Sequence, residues 1–545
     1  MTTAKITGSE ALAYGALEAG LQFVTGYPGS PSTSTFEAVL RLAGKEVRAE
    51  WAINEKSAFD AAFGASLAGV RALLCLKSVG LNVALDSLMV SNLAAGDGGF
   101  VILVGDDPGG WGSQNEEDSR PLVAAAEVPL LEPASLAEAR SMMRQAFALS
   151  ERFLVPVVVR ITRALTLDQA QLDPPAARVP RRQSARFQRQ PERYNVLPIH
   201  VVDLHTRLQK TMDAVQAEFE GTSWNREQGE GHLGIIAVGY VRAKLRDILS
   251  QSGQPPLRIL GLGTLNPLPE ERVARFLREL SAALILEETA PYVEIQTQAI
   301  AQRAGLTLPI YGRRSGHLPR AGELFAPDIA PALQAFLPEW AWPSVGAQRR
   351  TMPSRQPLCD DCPYIPAFEA LLNVMERHGG RDAYIVTGET GCMVRAQLPP
   401  WEIMDLKYGM GASIGLAAGL ARTGIPQRVI ALSGDSALLH SGLGELIDAA
   451  QAGIRLLVVV LANETTALSG GQAHPATSHD ARGNPRQPLD LEALIRAMGV
   501  DLVRVVDPEE TAVTEAALEE SLATDRLAVV IARRACPRWE ARPGD

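Results

Sequence analysis

The chain of 545 residues carries 52 Lys plus Arg against 62 Asp plus Glu, a net charge of −10, with 46% apolar and 21% charged residues. That composition is ordinary for a globular protein and excludes a disordered, collagenous or coiled-coil chain, and its acidic balance argues against non-specific nucleic-acid binding, which needs a basic footprint. The length suggests about three domains at roughly 100–200 residues each, and the five cysteines, Cys75, Cys359, Cys362, Cys392 and Cys536, are too few for a disulfide scaffold and a short supply for iron–sulfur clusters.

The first residues contain no apolar stretch of the secretory kind. The apolar run 456–462 is too short to span a bilayer, so a cytoplasmic protein without a membrane segment is expected. In chain order the pattern predicts strands at 21–25, 72–76, 100–105 and 155–160. Helices are predicted at 31–42, 81–93 and 136–151. Buried runs separated by helical patterns mean a parallel sheet covered on both faces. Residues 173–193 hold four prolines and six arginines and read as a solvated linker, with an anion-binding patch as the alternative. A second α/β region follows, with strands at 233–238, 257–260 and 283–287. After a Pro-, Ser- and Arg-rich stretch at 338–357 comes a third, with strands at 383–386, 428–432 and 456–461.

The segment 428–472 carries the most chemistry. A strand leads into the turn Ser433-Gly434-Asp435-Ser436, a helix is expected over 443–451, and a second strand ends at Ala462-Asn463-Glu464-Thr465-Thr466. Between Ser436 and Asn463 lie 26 residues. Both polar turns fall at carboxyl ends of adjacent parallel strands, where open α/β sheets bind ligands. A turn before a helix presents N–H groups to phosphate, and Asp435 and Asn463 offer the oxygens that Mg²⁺ takes beside substrate phosphates. Each turn alone also fits ordinary strand-end capping. In the first third, Tyr27-Pro28-Gly29-Ser30-Pro31-Ser32 follows one strand, and Trp51-Ala52-Ile53-Asn54-Glu55-Lys56 follows another and opens a helix. Glu55 there, taken alone, reads as a helix-terminus carboxylate.

The strand, Gly-Asp turn, helix, strand and Asn series resembles the thiamine diphosphate motif, with Ser436 where that family usually has Gly. Further segments extend the likeness: 26–32, 49–56, 77–83, 106–109, 113–120, 261–264, 285–288, 359–364, 387–392, 409–415 and 463–475. Together they resemble, in order and over essentially the whole chain, the large subunits of the indolepyruvate:ferredoxin oxidoreductase family, among the 2-oxoacid:acceptor oxidoreductases. The resemblance implies an α/β thiamine diphosphate-binding fold: two doubly wound parallel-sheet domains flanking a transketolase C-terminal-like α/β domain. It places a pyrimidine-binding domain at 1–172, a linker at 173–195, the transketolase-like domain at 196–340, a linker at 341–357 and a diphosphate-binding domain at 358–545. It implies that Glu55 activates the cofactor and that Asp435, Asn463 and the carbonyl of Thr465 hold Mg²⁺. Gly391, Cys392, Gly434 and Ser436 would lie near the diphosphate, and Gly411, Ala412 and Ser413 along the thiazolium. Ser30, Ser78, Asn82 and Gln472 are candidates for orienting a 2-oxoacid carboxylate, with Gln114, Asn115 and Arg120 behind them; turn chemistry explains Ser30 and Ser78 equally well. His440 and His474, beside the motif, are candidate acid–base groups, or structural histidines.

The implied reaction is oxidative decarboxylation of an indolepyruvate- or arylpyruvate-like 2-oxoacid, with coenzyme A collecting the acyl group. The implied partners are a second copy of the chain in a homodimeric core, a smaller subunit of the gamma or beta type, and an electron acceptor. Large subunits of the family end in a ferredoxin-like module, whereas this sequence ends nine residues after Cys536. Cys359-Asp360-Asp361-Cys362-Pro363-Tyr364 stands where the family has a similar pair followed by His. With Cys392 a further 30 positions on, no second pair matches it. No iron–sulfur cluster is therefore expected in the chain. The pair reads as reactive thiols, as pocket lining, or as a zinc site completed by His378 and His440. A non-oxidative decarboxylase or carboligase on the same scaffold remains the alternative activity, and a non-catalytic relative a third; the presence of Glu55, Asp435 and Asn463 argues against the third.

Overall fold

The computed structural model describes residues 4–94, 96–174, 185–343 and 357–540. It divides into two compact units. One holds the described residues up to 50 and those from 55 to 343; the other holds 51–54 and those from 357 onward. The predicted linkers fall in part on residues 175–184 and 344–356, which lie outside the described residues.

The first unit carries a seven-stranded sheet in the order Thr264–Asn266, Leu130–Leu131, Val157–Thr162, Phe100–Asp106, Ala72–Lys77, Phe23–Gly26 and Arg48–Trp51. Its central strands run parallel, and Thr264–Asn266 joins antiparallel at the edge. Phe100–Asp106 and Val157–Thr162 are buried at every position. That follows from their near-continuous apolar runs, which a sheet covered on both faces requires. The same unit holds a five-stranded sheet in the order Ile310–Tyr311, Ala282–Leu286, Leu233–Val238, Leu257–Leu262 and Arg226–Gln228. The helix Val201–Gly221, absent from the sequence prediction, buries Leu204, Leu208, Val215 and Phe219, a regular helical spacing that was open to reading in the sequence.

The second unit is built on six parallel strands in the order Leu406–Lys407, Tyr384–Gly388, Arg428–Gly434, Leu456–Ala462, Leu527–Arg533 and Leu502–Val506. Alternate residues of its central strands feed two cores. Ile430, Leu432, Leu457, Val459 and Leu461 face one; Val429, Ala431, Leu456, Val458, Val460 and Ala462 face the other. Side chains on a strand alternate between faces, so each central strand is apolar throughout and is pinned from both sides. Its carboxyl end is thereby held rigidly, and that end carries the polar turns. Ile53 packs against the second of these cores. Among the described residues no helix is long and apolar enough to cross a membrane.

Candidate active site

Asp435 follows Arg428–Gly434 directly, and Asn463 follows Leu456–Ala462 directly. These strands are neighbours in register, Gly434 opposite Leu461, so the two polar turns emerge side by side. The Asp435 carboxylate accepts the Ser436 N–H at 2.8 Å on Oδ1 and the Glu464 N–H at 2.7 Å on Oδ2. Asn463 Oδ1 accepts the Thr465 N–H at 3.3 Å. Asp435, Asn463 and Thr465 are all buried. His474 is 5% exposed, and its Nδ1 accepts the Ala476 N–H at 3.3 Å, which leaves the ring proton on Nε2. Nε2 makes no hydrogen bond of its own and stands 3.4 Å from Asp435 Oδ2. His440 lies in a π-helical turn, Leu438–Gly442, which separates the short helical turn Asp435–Ala437 from the helix Leu443–Gln451. Its Nδ1 shares a hydrogen bond of 2.6 Å with Ser441 Oγ, and its carbonyl accepts Asn54 Nδ2 at 2.9 Å. The π-turn is absent from the sequence prediction, since one extra residue in a turn leaves no periodic signature. Such turns recur at functional sites.

Gly411 caps the helix Ala412–Arg422 at φ +78°, a conformation that favours glycine, and a Cβ there would stand 2.6 Å from Ser441 Cβ. Ser413 is turned inward. Its Oγ donates at 3.1 Å to Glu389, a residue to which the sequence reading gave no role although its motif was noticed. Glu389 is fully buried at the end of Tyr384–Gly388. It also accepts Ser433 Oγ at 2.6 Å and the Gly434 N–H at 3.1 Å. Burial pushes its carboxyl up to about 7 against those hydrogen bonds. A Glu among small residues directly after an apolar strand was the available signal. Gln472 is buried and is held by Ser469, whose Oγ donates to its Oε1 at 2.7 Å.

The cysteines are less scattered than their positions suggest. Cys359, Cys362, Cys392 and Cys536 lie near enough for the thiols to influence one another electrostatically. Burial pushes Cys362 up to about 11 and Cys392 to about 12. The Cys536 N–H donates to the Asn463 carbonyl at 3.0 Å, which puts this thiol's backbone beside the Asn463 turn. Among the described residues no three His, Cys, Asp or Glu side chains stand arranged to hold a metal ion. Tyr364 is buried, and its hydroxyl donates to the Leu461 carbonyl at 3.1 Å; burial, with Asp435 nearby, holds its phenol well above the usual range.

In the first unit, Glu55 opens the helix Glu55–Leu67 and is 6% exposed. It lies against Gly80 of the helix Ser78–Ser91: a Cβ on Gly80 would stand 2.6 Å from Glu55 Cγ and Oε1. The missing side chain is what admits the carboxyl. Ser78 is buried at the start of the same helix, while Asn82, one turn on, is exposed and donates to Glu117 at 3.2 Å. Ser30 is exposed after Phe23–Gly26, the strand beside Ala72–Lys77. Asn115 also donates to Glu117, at 3.3 Å. The Arg120 guanidinium is wholly buried, binding Asp118, Glu287 Oε2 at 2.7 Å and the Ala290 carbonyl at 2.8 Å. It is thus occupied by the protein itself.

Two family models match the chain. Residues 14–228 match the thiamine diphosphate-binding domain of pyruvate flavodoxin/ferredoxin oxidoreductases, and residues 389–532 match the C-terminal binding domain of thiamine pyrophosphate enzymes. A relative from Pyrococcus abyssi, indolepyruvate oxidoreductase subunit IorA, is 34% identical over 97% of this chain and 85% of its own length. The chain belongs to the indolepyruvate oxidoreductase IorA family. The Archaeoglobus fulgidus relative of the same name is 33% identical over 97% of this chain and 86% of its own length. A solved 2-oxoglutarate:ferredoxin oxidoreductase from Magnetococcus marinus aligns with 57% of this chain and 62% of its own, at 17% identity and a TM-score of 0.47. Members of this family are thiamine diphosphate-dependent 2-oxoacid oxidoreductases, and this chain is one of them, with the parallel α/β sheets the resemblance implied.

Proposed function

We propose that this member of the IorA family carries out oxidative decarboxylation of an indolepyruvate- or arylpyruvate-like 2-oxoacid, giving an acyl-CoA and passing electrons to a partner subunit or external acceptor. The observation that carries the reading is the pairing of the Asp435 and Asn463 turns on adjacent strand ends. Their oxygens, with the Thr465 carbonyl, form a hard donor set of the kind Mg²⁺ takes together with a diphosphate. The His474 Nε2–H beside Asp435, buried and without a hydrogen bond, fits a site built to hold added negative charge.

Thiamine diphosphate, when bound, would supply an electron sink for the pair left behind when the bond to the 2-oxoacid's carboxylate breaks and CO₂ leaves. The chain's own residues would do the rest. Asp435, Asn463 and Thr465 would hold Mg²⁺, while Gly391, Cys392, Gly434 and Ser436 bind the diphosphate and Gly411, Ala412 and Ser413 line the thiazolium. Glu55 would hold a proton at the aminopyrimidine ring. Ser30, Ser78, Asn82 and Gln472 would orient the 2-oxoacid, with His440 and His474 managing protons. A homodimeric core, a smaller subunit and a cytoplasmic location belong to this reading, as do a pyrimidine-binding domain at 1–172 and a diphosphate-binding domain at 358–545.

The four neighbouring thiols favour a second reading of the electron path. An iron–sulfur cluster takes four cysteines, and Cys359, Cys362, Cys392 and Cys536 supply that number in one neighbourhood of the second unit. The expectation of no cluster rested on the small number of cysteines and on the lack of a second pair to match Cys359 and Cys362; this second reading replaces the second pair with Cys392 and Cys536.

Product identity tests the activity. The purified chain, given indolepyruvate or phenylpyruvate with thiamine diphosphate, Mg²⁺, coenzyme A and a viologen dye, should reduce dye and form acyl-CoA. Aldehyde without dye reduction would transfer the chain to the non-oxidative reading.

A further inference from the structure

Glu389 sits where three segments meet, and among the described residues the three hydrogen-bond donors to its carboxyl come from outside its own segment. Two are the hydroxyl of Ser433 and the N–H of Gly434, on the strand end that leads into Asp435. The third is Ser413 Oγ, in the first turn of the helix Ala412–Arg422. The carboxyl is wholly buried among them. Loops at sheet ends are ordinarily held by their flanking strands alone. Here one acid ties the end of Tyr384–Gly388 to both of the neighbouring turns that the proposed function assigns to the cofactor.

We infer that Glu389 is a positioning residue for cofactor binding: it fastens the Gly434-Asp435 turn, proposed for the diphosphate, and the first turn of the helix Ala412–Arg422, proposed for the thiazolium, into one arrangement that receives the cofactor. The inference rests on the proposed function, that this strand end binds thiamine diphosphate. The oxygens of Glu389 are occupied by donors of the protein itself. Its effect is on how well the turns are prearranged, and prearrangement of a site is expressed as binding affinity. The backbone N–H of Gly434 can only donate, so a glutamine that keeps its carbonyl there must turn its own N–H₂ group toward Ser413 Oγ, which now donates to the acid.

The test uses the full chain and thiamine diphosphate with saturating Mg²⁺. Cofactor affinity is measured by intrinsic-fluorescence quenching for the wild type, Glu389→Gln, Ser433→Ala and Asp435→Ala. At pH 8, where the carboxyl is ionised, Glu389→Gln should weaken binding about ten-fold or more, the scale of one lost hydrogen bond to a charged group. In steady-state assays it should raise the apparent KM for the cofactor by more than it lowers kcat, a split that a general loosening of the fold does not produce. Ser433→Ala, which removes one donor and leaves the acid in place, should weaken binding by a smaller factor in the same direction. That variant decides the matter if the glutamine chain does not fold. Binding within two-fold of wild type in the Gln variant, or in Ser433→Ala where only that variant folds, while Asp435→Ala loses the cofactor, would overturn the role of Glu389 and leave the proposed function standing. Unchanged binding in Asp435→Ala would instead remove the proposed site, and the inference with it.

Discussion

Water stabilises charge better than a protein interior does, so a buried carboxyl resists ionisation. Glu389 obeys this rule even with several donors around it: its carboxyl is pushed up to about 7. The raised value means that the folded chain binds this proton more tightly than the unfolded chain. The contribution to stability is present in full below the ordinary glutamate value of about 4.3 and is lost as pH rises through about 7. Urea unfolding of the cofactor-free chain at pH 5 and pH 8 should therefore show wild type losing on the order of 3 kcal/mol more than Glu389→Gln. Equal losses in the two chains would count against the assignment. Glu55 depends on a neighbour in a different way. Its room exists because Gly80 has no side chain, and a Cβ there would stand 2.6 Å from its Cγ and Oε1. Gly80→Ala should displace the carboxyl and cut turnover about as severely as Glu55→Gln, while the thermal midpoint moves little. A Gly80→Ala chain with wild-type turnover would show that the placement of Glu55 is not critical.

Elements in the first unit are tied by charge as well as by apolar packing. Arg160, on the strand Val157–Thr162, binds Asp106 at 2.7 Å on the neighbouring strand and lies 2.7 Å from Glu132. Arg120 opens a short helix and binds Asp118, Glu287 and the Ala290 carbonyl. Both guanidinium groups are wholly buried. Burial would raise the Asp118 carboxyl, but Arg120 beside it holds it well below the usual range; Asp106 and Glu132 are pushed up by burial despite Arg160. Removing one arginine leaves buried carboxylates without a counter-charge, a change that typically costs about 3–5 kcal/mol. Arg120→Leu should destabilise the chain by about that amount, read from urea unfolding at pH 7, and a loss below about 1 kcal/mol would show that the carboxylates relax into water. The strands themselves were legible in the sequence because their apolar runs are continuous. These ion pairs were not, because Arg120 and Glu287 lie far apart in the chain and the polar loop around Arg120 looked solvated.

At the scale of the whole molecule, what could be read in advance depended on how local it was. Asp435 and Asn463 stand at the ends of consecutive strands of one sheet, so their spacing alone announced them. The role of Glu389 depends on donors from two other segments, and the cysteines depend on strand order. Leu456–Ala462 lies beside Leu527–Arg533, which carries Cys536 to the Asn463 carbonyl, while Tyr384–Gly388 lies beside Arg428–Gly434 and leads to Cys392. Parallel strands deliver their carboxyl ends to one edge of the sheet, so residues distant in sequence are gathered there whether or not any local motif marks them. Cys362 and Cys392, pushed up to about 11 and about 12, hold their protons at neutral pH and are poor nucleophiles as free thiols. That argues against Cys362 as a reactive thiol. It suits ligands that release their protons only to a metal. The chain isolated without oxygen should therefore contain iron and acid-labile sulfide and show a broad visible absorption band. Cys536→Ser should lose that band. Iron-free protein from such a preparation, with all five thiols titratable after unfolding, would return the electrons to direct transfer from the cofactor to a partner.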